Sequence, residues 1–162
     1  MNRSDYLLIM NPPAKFLTAA LYAGVAASVL STVAQILLWG LFWDALPTIL
    51  YRDARFAAAI ILGQKVLLPP ATLDWQVMLI ATGIHLVLSI IYAIALSWLI
   101  RPLALKASLI VGGLFGVGLF IVNMYGFVHI FPWFVETRDW ITVAAHIVFG
   151  FSAAAVYKLL AR

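Results

Sequence analysis

Residues 75–100 read WQVMLIATGIHLVLSIIYAIALSWLI, without a single charged side chain. A helix rises 1.5 Å per residue, and about 20 apolar residues cross the roughly 30 Å hydrocarbon core of a bilayer. This stretch is long enough to span. The segments Phe16–Trp43, Ala107–Val135 and Trp140–Tyr157 are equally free of charge. The predicted fold is therefore all-α: an integral membrane four-helix bundle with spans at about 16–43, 76–100, 107–130 and 140–159. The spans use most of the 162 residues, so one transmembrane domain over 1–162 is expected.

Composition agrees. The chain is 65% hydrophobic and 10% charged, with mean hydropathy +1.08, whereas a soluble domain carries about 25% charged residues. It has no cysteine, which removes disulfides, thiolate metal sites and a cysteine nucleophile. The first apolar segment, 28 residues from Phe16 to Trp43, is much longer than the 7–15 of a signal h-region, so it reads as a retained helix.

The formal charge of +4 sits at helix ends, as topology signals do, and does not read as a nucleic-acid patch. One side collects Arg3, Lys15, Arg101, Lys106, Lys158 and Arg162 against the single acid Asp5. The other holds Arg52, Arg55, Lys65 and Arg138 with Asp44, Asp53, Asp74, Glu136 and Asp139. Lys/Arg bias in short loops sets orientation, which puts both termini in the cytoplasm; an even number of spans requires them on one side. Trp43, Trp75, Trp133 and Trp140 mark the outer ends and Trp98 an inner end, at the headgroup level that indole rings favour.

Residues 48–72 are the least regular. Polar Tyr51–Arg55 precedes an apolar run, Phe56–Leu62, that is too short to cross, and Pro69-Pro70 stops any helix. A short interfacial helix on the outer side, at about 53–68, is predicted. It is either a plain connection over the bundle end or a lid over a cavity. The link Arg101–Lys106 is so short that spans two and three should be antiparallel neighbours. Asp53 with Arg52 and Arg55, and Asp139 with Arg138, read as surface ion pairs; Asp139 also suits the start of span four.

Each span carries a stripe of small or polar residues at steps of three and four, which keeps them on one face. The stripes are Ala20, Gly24, Ser28, Ser31 and Gln35; Thr82, His85, Ser89, Ala93 and Ser97; Gly112, Gly116, Asn123 and Gly126; and Thr142, His146, Gly150, Ala153 and Tyr157. Small residues let helices pack closely in lipid, and Gly112-x-x-x-Gly116 fits that role, with oligomer contact second. Counted along each helix, Gln35, His85, Asn123 and His146 fall roughly 9–15 Å from the outer ends. They can form one intramembrane polar layer, the candidate binding site. An intramembrane ionisable residue is a functional candidate by default; the competing reading is a hydrogen-bonded network that only specifies packing.

A haem-b electron-transfer protein with His85 and His146 as axial ligands is the alternative from another class; without it no cofactor is implied. His129 reads as interfacial. No Ser-His-Asp order, intramembrane acid pair, P-loop or GxGxxG occurs, so no catalytic residue is assigned and no metal site is expected. The leading expectation is a non-enzymatic protein that binds or conducts a small solute or proton, or serves as a subunit of a membrane complex. Its partners are the bilayer and a possible second copy or larger assembly, not nucleic acid.

Trp43 followed by an acid and Pro47, the string His85-Leu86-Val87-Leu88-Ser89-Ile90, the glycine-containing third span, Phe131-Pro132-Trp133, and His146 four residues before Gly150 together resemble the YagU-like bacterial inner-membrane proteins. The likeness covers most of residues 40–155. It implies a four-span protein of the bacterial inner membrane and supplies no mechanism. The chain departs from that family in the 48–72 segment and at Asn123, near which the family has a histidine.

Overall fold

A computed structural model describes residues 12–161. Arg3, Asp5 and Arg162, which enter the orientation count, lie outside the described residues. Four helices are long and apolar enough to cross a membrane: α1 (Pro12–Phe42), α3 (Trp75–Ile100), α4 (Leu105–Ile121) with its continuation to His129, and α5 (Trp140–Leu160). A shorter helix, α2 (Thr48–Leu62), joins α1 to α3. There is no strand among the described residues.

The helices are inverted relative to those of a soluble bundle. Large apolar side chains point outward: Tyr22, Val29, Leu37 and Leu41 on α1, Leu79, Val87 and Trp98 on α3, Ile110 and Leu114 on α4. The core is built from Ala19, Ala20, Ala23, Ala27, Ala93, Ala153 and Ala154, with Leu96 and Ile100. An apolar exterior is what lipid contact requires, and small interior residues let backbones approach. At Gly112, Gly116 and Gly150 an added Cβ would collide with the carbonyls of Gly150, His146 and Gly112 respectively. The GxxxG pattern thus sets the α4–α5 crossing inside the chain.

The spans run up and down in chain order around the bundle. α5 packs extensively against both α1 and α4, and α1 packs against α3. The α3–α4 contact is thin. The short Arg101–Lys106 link makes them consecutive, yet the two helices do not seal against each other along their length.

Acid side chains start two spans. Asp74 accepts from the backbone N–H groups of Gln76 (2.9 Å) and Val77 (3.2 Å). Asp139 accepts from the Thr142 N–H (2.9 Å) and hydroxyl (3.0 Å). Each satisfies donors that a helix start leaves free.

The interfacial helix differs from the predicted 53–68. It begins at Thr48, so the polar Tyr51–Arg55 run is helical, and ends at Leu62. Gly63 stops it at φ 78, a backbone conformation glycine adopts without a side-chain clash, and a 3₁₀ turn follows over Gln64–Leu67. α2 rests on the start of α3, with Ala58 against Val77 and Ala81. It is held by Trp133 Nε1, which donates to the Phe56 carbonyl (2.9 Å). Arg55 ties the following loop by donating to the carbonyls of Val66 (2.9 Å) and Thr72 (3.1 Å). Arg55 therefore serves backbone carbonyls and is not part of an ion pair with Asp53.

Candidate functional site

Where α3 parts from α4, the bundle holds a cavity of about 380 Å³. α1 contributes Ser31 and Gln35; α3 contributes His85, Ser89 and Tyr92; α5 contributes Thr142 and His146. Asp53 and Ala57 of α2, with Phe131 and Phe134 of the loop before α5, complete the wall on one side. The rest is apolar, including Ile84, Leu88, Leu119 and Phe149. A mostly apolar hollow with a few convergent polar groups is the usual form of a small-molecule site.

The structure brings Gln35, His85, Asn123 and His146 to this one cavity. Their bonds divide into two sets. Asn123 Nδ2 lies 3.3 Å from His146 Nε2, and the Tyr92 hydroxyl donates to Asn123 Oδ1 at 2.8 Å. His146 Nδ1 lies 2.8 Å from the Thr142 carbonyl, which can only accept. That contact fixes the tautomer: Nδ1 carries the proton and donates, so Nε2 of the neutral ring accepts from the Asn123 amide. The order Tyr92, Asn123, His146, Thr142 is thus consistent from end to end. Phe120 packs edge-on against the His146 ring at 5.8 Å.

His85 belongs to a different pair. Its Nε2 lies 3.3 Å from the Thr32 hydroxyl of α1, and the residue stays exposed. The Gln35 amide makes no hydrogen bond with a described residue, so its donors and acceptor are free for whatever occupies the cavity.

Backbone irregularity places Asn123. At Val122 the α-helix gives way to a π-turn over Val122–Gly126, then a 3₁₀ turn over Phe127–His129. Such turns widen the helix and recur at functional sites. The break is supported from outside: Arg138 Nε donates to the Met124 carbonyl (2.7 Å), with its guanidinium 4.1 Å from the centre of the Tyr125 ring. Arg138 is thus committed to α4 and does not pair with Asp139. His129 is exposed at the end of the span.

The stripes diverge at their outer ends. Thr82 is exposed and satisfies its hydroxyl on the Met78 carbonyl (2.8 Å), and Gly126 faces open space.

Three site residues escaped the sequence reading. Tyr92 was accessible to it, since positions 85, 89 and 92 share a helix face. Thr32 lies one residue from the stripe on α1. Asp53 gives no signal, because only the path of α2 brings it to the cavity. Its carboxylate is bonded by Arg52 at 2.8 Å, as the sequence suggested, and its side chain is only 18% exposed. Burial pushes the Asp53 carboxyl up to about 6, against the pull of Arg52; the nearby Asp139 and Glu136 carboxylates act in the same direction as burial.

No family model matches the chain, and neither a curated protein nor a solved structure matches it.

Proposed function

We propose that the chain is a non-enzymatic protein of the bacterial inner membrane, of YagU-like type, whose outer-half cavity binds a small solute with a polar head and an apolar body. The single observation that carries this reading is the gathering of polar groups from all four spans and from α2 around one hollow. In hydrocarbon an unpartnered polar group costs several kcal/mol. Among the polar groups of the spans, the Gln35 amide bonds to no described residue, and a ligand in the cavity would offset that cost. The free Gln35 amide and the exposed His85 would meet the polar head, and Ile84, Leu88 and Phe149 the body. The thin α3–α4 seam and the α2 side are the two routes of access.

Binding is favoured over conduction. The hydrogen-bond order ends on the Thr142 carbonyl, and the far half is filled by Ala20, Ala23, Ala93, Leu96, Ala153 and Ala154. Ligation of haem b by His85 and His146 would first require releasing both Nε2 atoms, from Thr32 and from Asn123.

The test is mass analysis of small molecules retained by the purified chain, wild type against His85→Ala/Gln35→Leu. The double variant should lose a compound that the wild type holds near one per chain. A wild type that carries none, or a variant that carries the same compound in the same amount, refutes the proposal. A Soret band in the wild type would move the assignment to haem.

A further inference from the structure

At the opposite end of the bundle a second cavity of about 510 Å³ lies between the start of α1, the α3–α4 turn and the end of α5. Three cations line it: Lys15, Arg101 and Lys158. No acid lines it among the described residues. Like charges gathered around one hollow make its potential positive and favour an anion there.

Two of the polar groups are preset. Lys158 Nζ donates to the carbonyls of Arg101 (3.1 Å) and Leu103 (2.6 Å). This fixes the ammonium at the end of α3 and leaves one of its three donors for a ligand. Tyr157 is 3% exposed, its ring held edge-on by Phe16 at 5.8 Å. Tyr157 lines the cavity, and its hydroxyl bonds to no described residue. A phenol O–H that is buried normally finds a partner. The Arg101 guanidinium likewise makes no hydrogen bond or ion pair with a described residue. An ammonium N–H, a guanidinium fork and a phenol, none of them bonded to another side chain among the described residues, thus belong to residues that line one volume. They match a group with several anionic oxygens, and Arg and Lys are the side chains that hold phosphate.

Position narrows the source. The cavity sits where the apolar spans end, and its rim includes Phe16 and Leu105. Exposed Leu17 lies one residue further along α1. Basic pockets between spans at this level are the setting in which acidic headgroups bind. We propose that Lys15, Arg101, Tyr157 and Lys158 form a binding site for a phosphate-bearing anion, met in the membrane as the headgroup of an acidic phospholipid. This site does not depend on the solute cavity, and its test leaves that reading untouched.

The experiment follows thermal unfolding of the purified full chain in neutral detergent, titrated in separate arms with phosphatidylglycerol, phosphatidylcholine and inorganic phosphate. Phosphatidylglycerol should raise Tm saturably, and phosphatidylcholine should not. Arg101→Gln should weaken the apparent affinity about fivefold, the effect of one cation near an acidic surface. Tyr157→Phe keeps the ring and removes one hydrogen bond to a charged group, and should weaken it about tenfold. Lys106→Gln removes the same charge beside the rim residue Leu105 but outside the cavity lining, and should change it less than twofold. Lys15→Gln gives a second cavity variant should Arg101→Gln not purify. Saturation by inorganic phosphate at equal affinity would keep the anion site and assign it to a soluble phosphate. Equal stabilisation by phosphatidylcholine, or equal losses in Lys106→Gln and Arg101→Gln, would overturn the proposal.

Discussion

The two halves of this bundle are made by the same helices and from the same stripes, yet one is closed and the other hollow. In the closed half the facing residues are glycine and alanine, and backbones touch: Gly112 against Gly150, and Gly24 so near α3 that an added Cβ would lie 2.8 Å from the Ile90 Cα. In the hollow half the same faces carry Gln35, His85, Tyr92 and Asn123. The polar groups are too large for contact at that distance, α3 moves off α4, and α4 itself loses its α geometry at Val122. Stripe position selects which face turns inward, and side-chain size along the stripe decides whether that face closes. The α4–α5 seam is the boundary case. Gly116 packs on the His146 carbonyl, so tight packing persists up to the residue that begins the polar layer.

The largest effect should come from removing that difference in the closed half. Gly150→Val drives a side chain into the Gly112 carbonyl, and neither backbone can yield without separating α4 from α5. Overpacking of this kind costs about 3 kcal/mol or more. Thermal unfolding in detergent should show a much lower midpoint or no folded fraction. Gly118→Val is the internal control, because a Cβ there meets nothing within 4 Å and the midpoint should stay close to that of the wild type. Equal behaviour of the two variants would mean that the α4–α5 contact does not hold the closed half together.

A smaller effect should follow from breaking the network in the hollow half. Asn123→Leu leaves the Tyr92 hydroxyl and His146 Nε2 without their partners. Stranding two polar groups costs roughly 1–3 kcal/mol each when they are buried. Both are only partly buried here, so a loss of about 2 kcal/mol is expected. His146→Leu, which removes one end of the network and keeps the Tyr92–Asn123 bond, should cost less. A midpoint unchanged in Asn123→Leu would show that water or a solute takes over its bonds.

The closed half was the legible one. Small residues at steps of three and four against large apolar neighbours mark an inward face from sequence alone. Ala20, Gly24, Ser28 and Ser31 on α1, and Gly150, Ala153 and Tyr157 on α5, are all buried. Gln35, His85, Asn123 and His146 all line the one cavity; a count at the fixed rise of an uninterrupted helix suits Gln35, His85 and His146, whereas Asn123 lies beyond the break at Val122. What the count could not supply was the partners. Thr32 pairs with His85 through the placement of α1 on α3. Asp53 reaches the cavity only because α2 starts at Thr48 and runs onto α3. Arg55 and Arg138 read as ion-pair members, but the carbonyls they bond, those of Val66 and Thr72 beyond Gly63 and of Met124 in the π-turn, take them instead of the Asp53 and Asp139 carboxylates. These breaks depend on tertiary support, and local sequence does not announce them.

The smallest effect, and the one that separates α2 as a plain connection from α2 as a functional wall, is the pH dependence set by Asp53. Its carboxyl titrates near 6 in the folded chain and at 3.8 in its ordinary state. Between those values the folded protein binds more protons than the unfolded one, so stability falls as pH rises through this window and is flat above it. Going from pH 5 to pH 7 should therefore cost the wild type on the order of 1 kcal/mol from this group. Asp53→Asn cannot ionise and should lack that part of the slope, so its midpoint, relative to wild type, should improve from pH 5 to pH 7. Arg52, which loses its ion-pair partner in the variant, is 31% exposed, and that loss shifts both points alike and cancels from the difference. Parallel pH profiles would mean that the Asp53 carboxylate is well solvated, with α2 standing off the cavity. Diverging profiles, with the variant gaining between pH 5 and pH 7, would mean that the wall over His85 and His146 carries an acid held away from water.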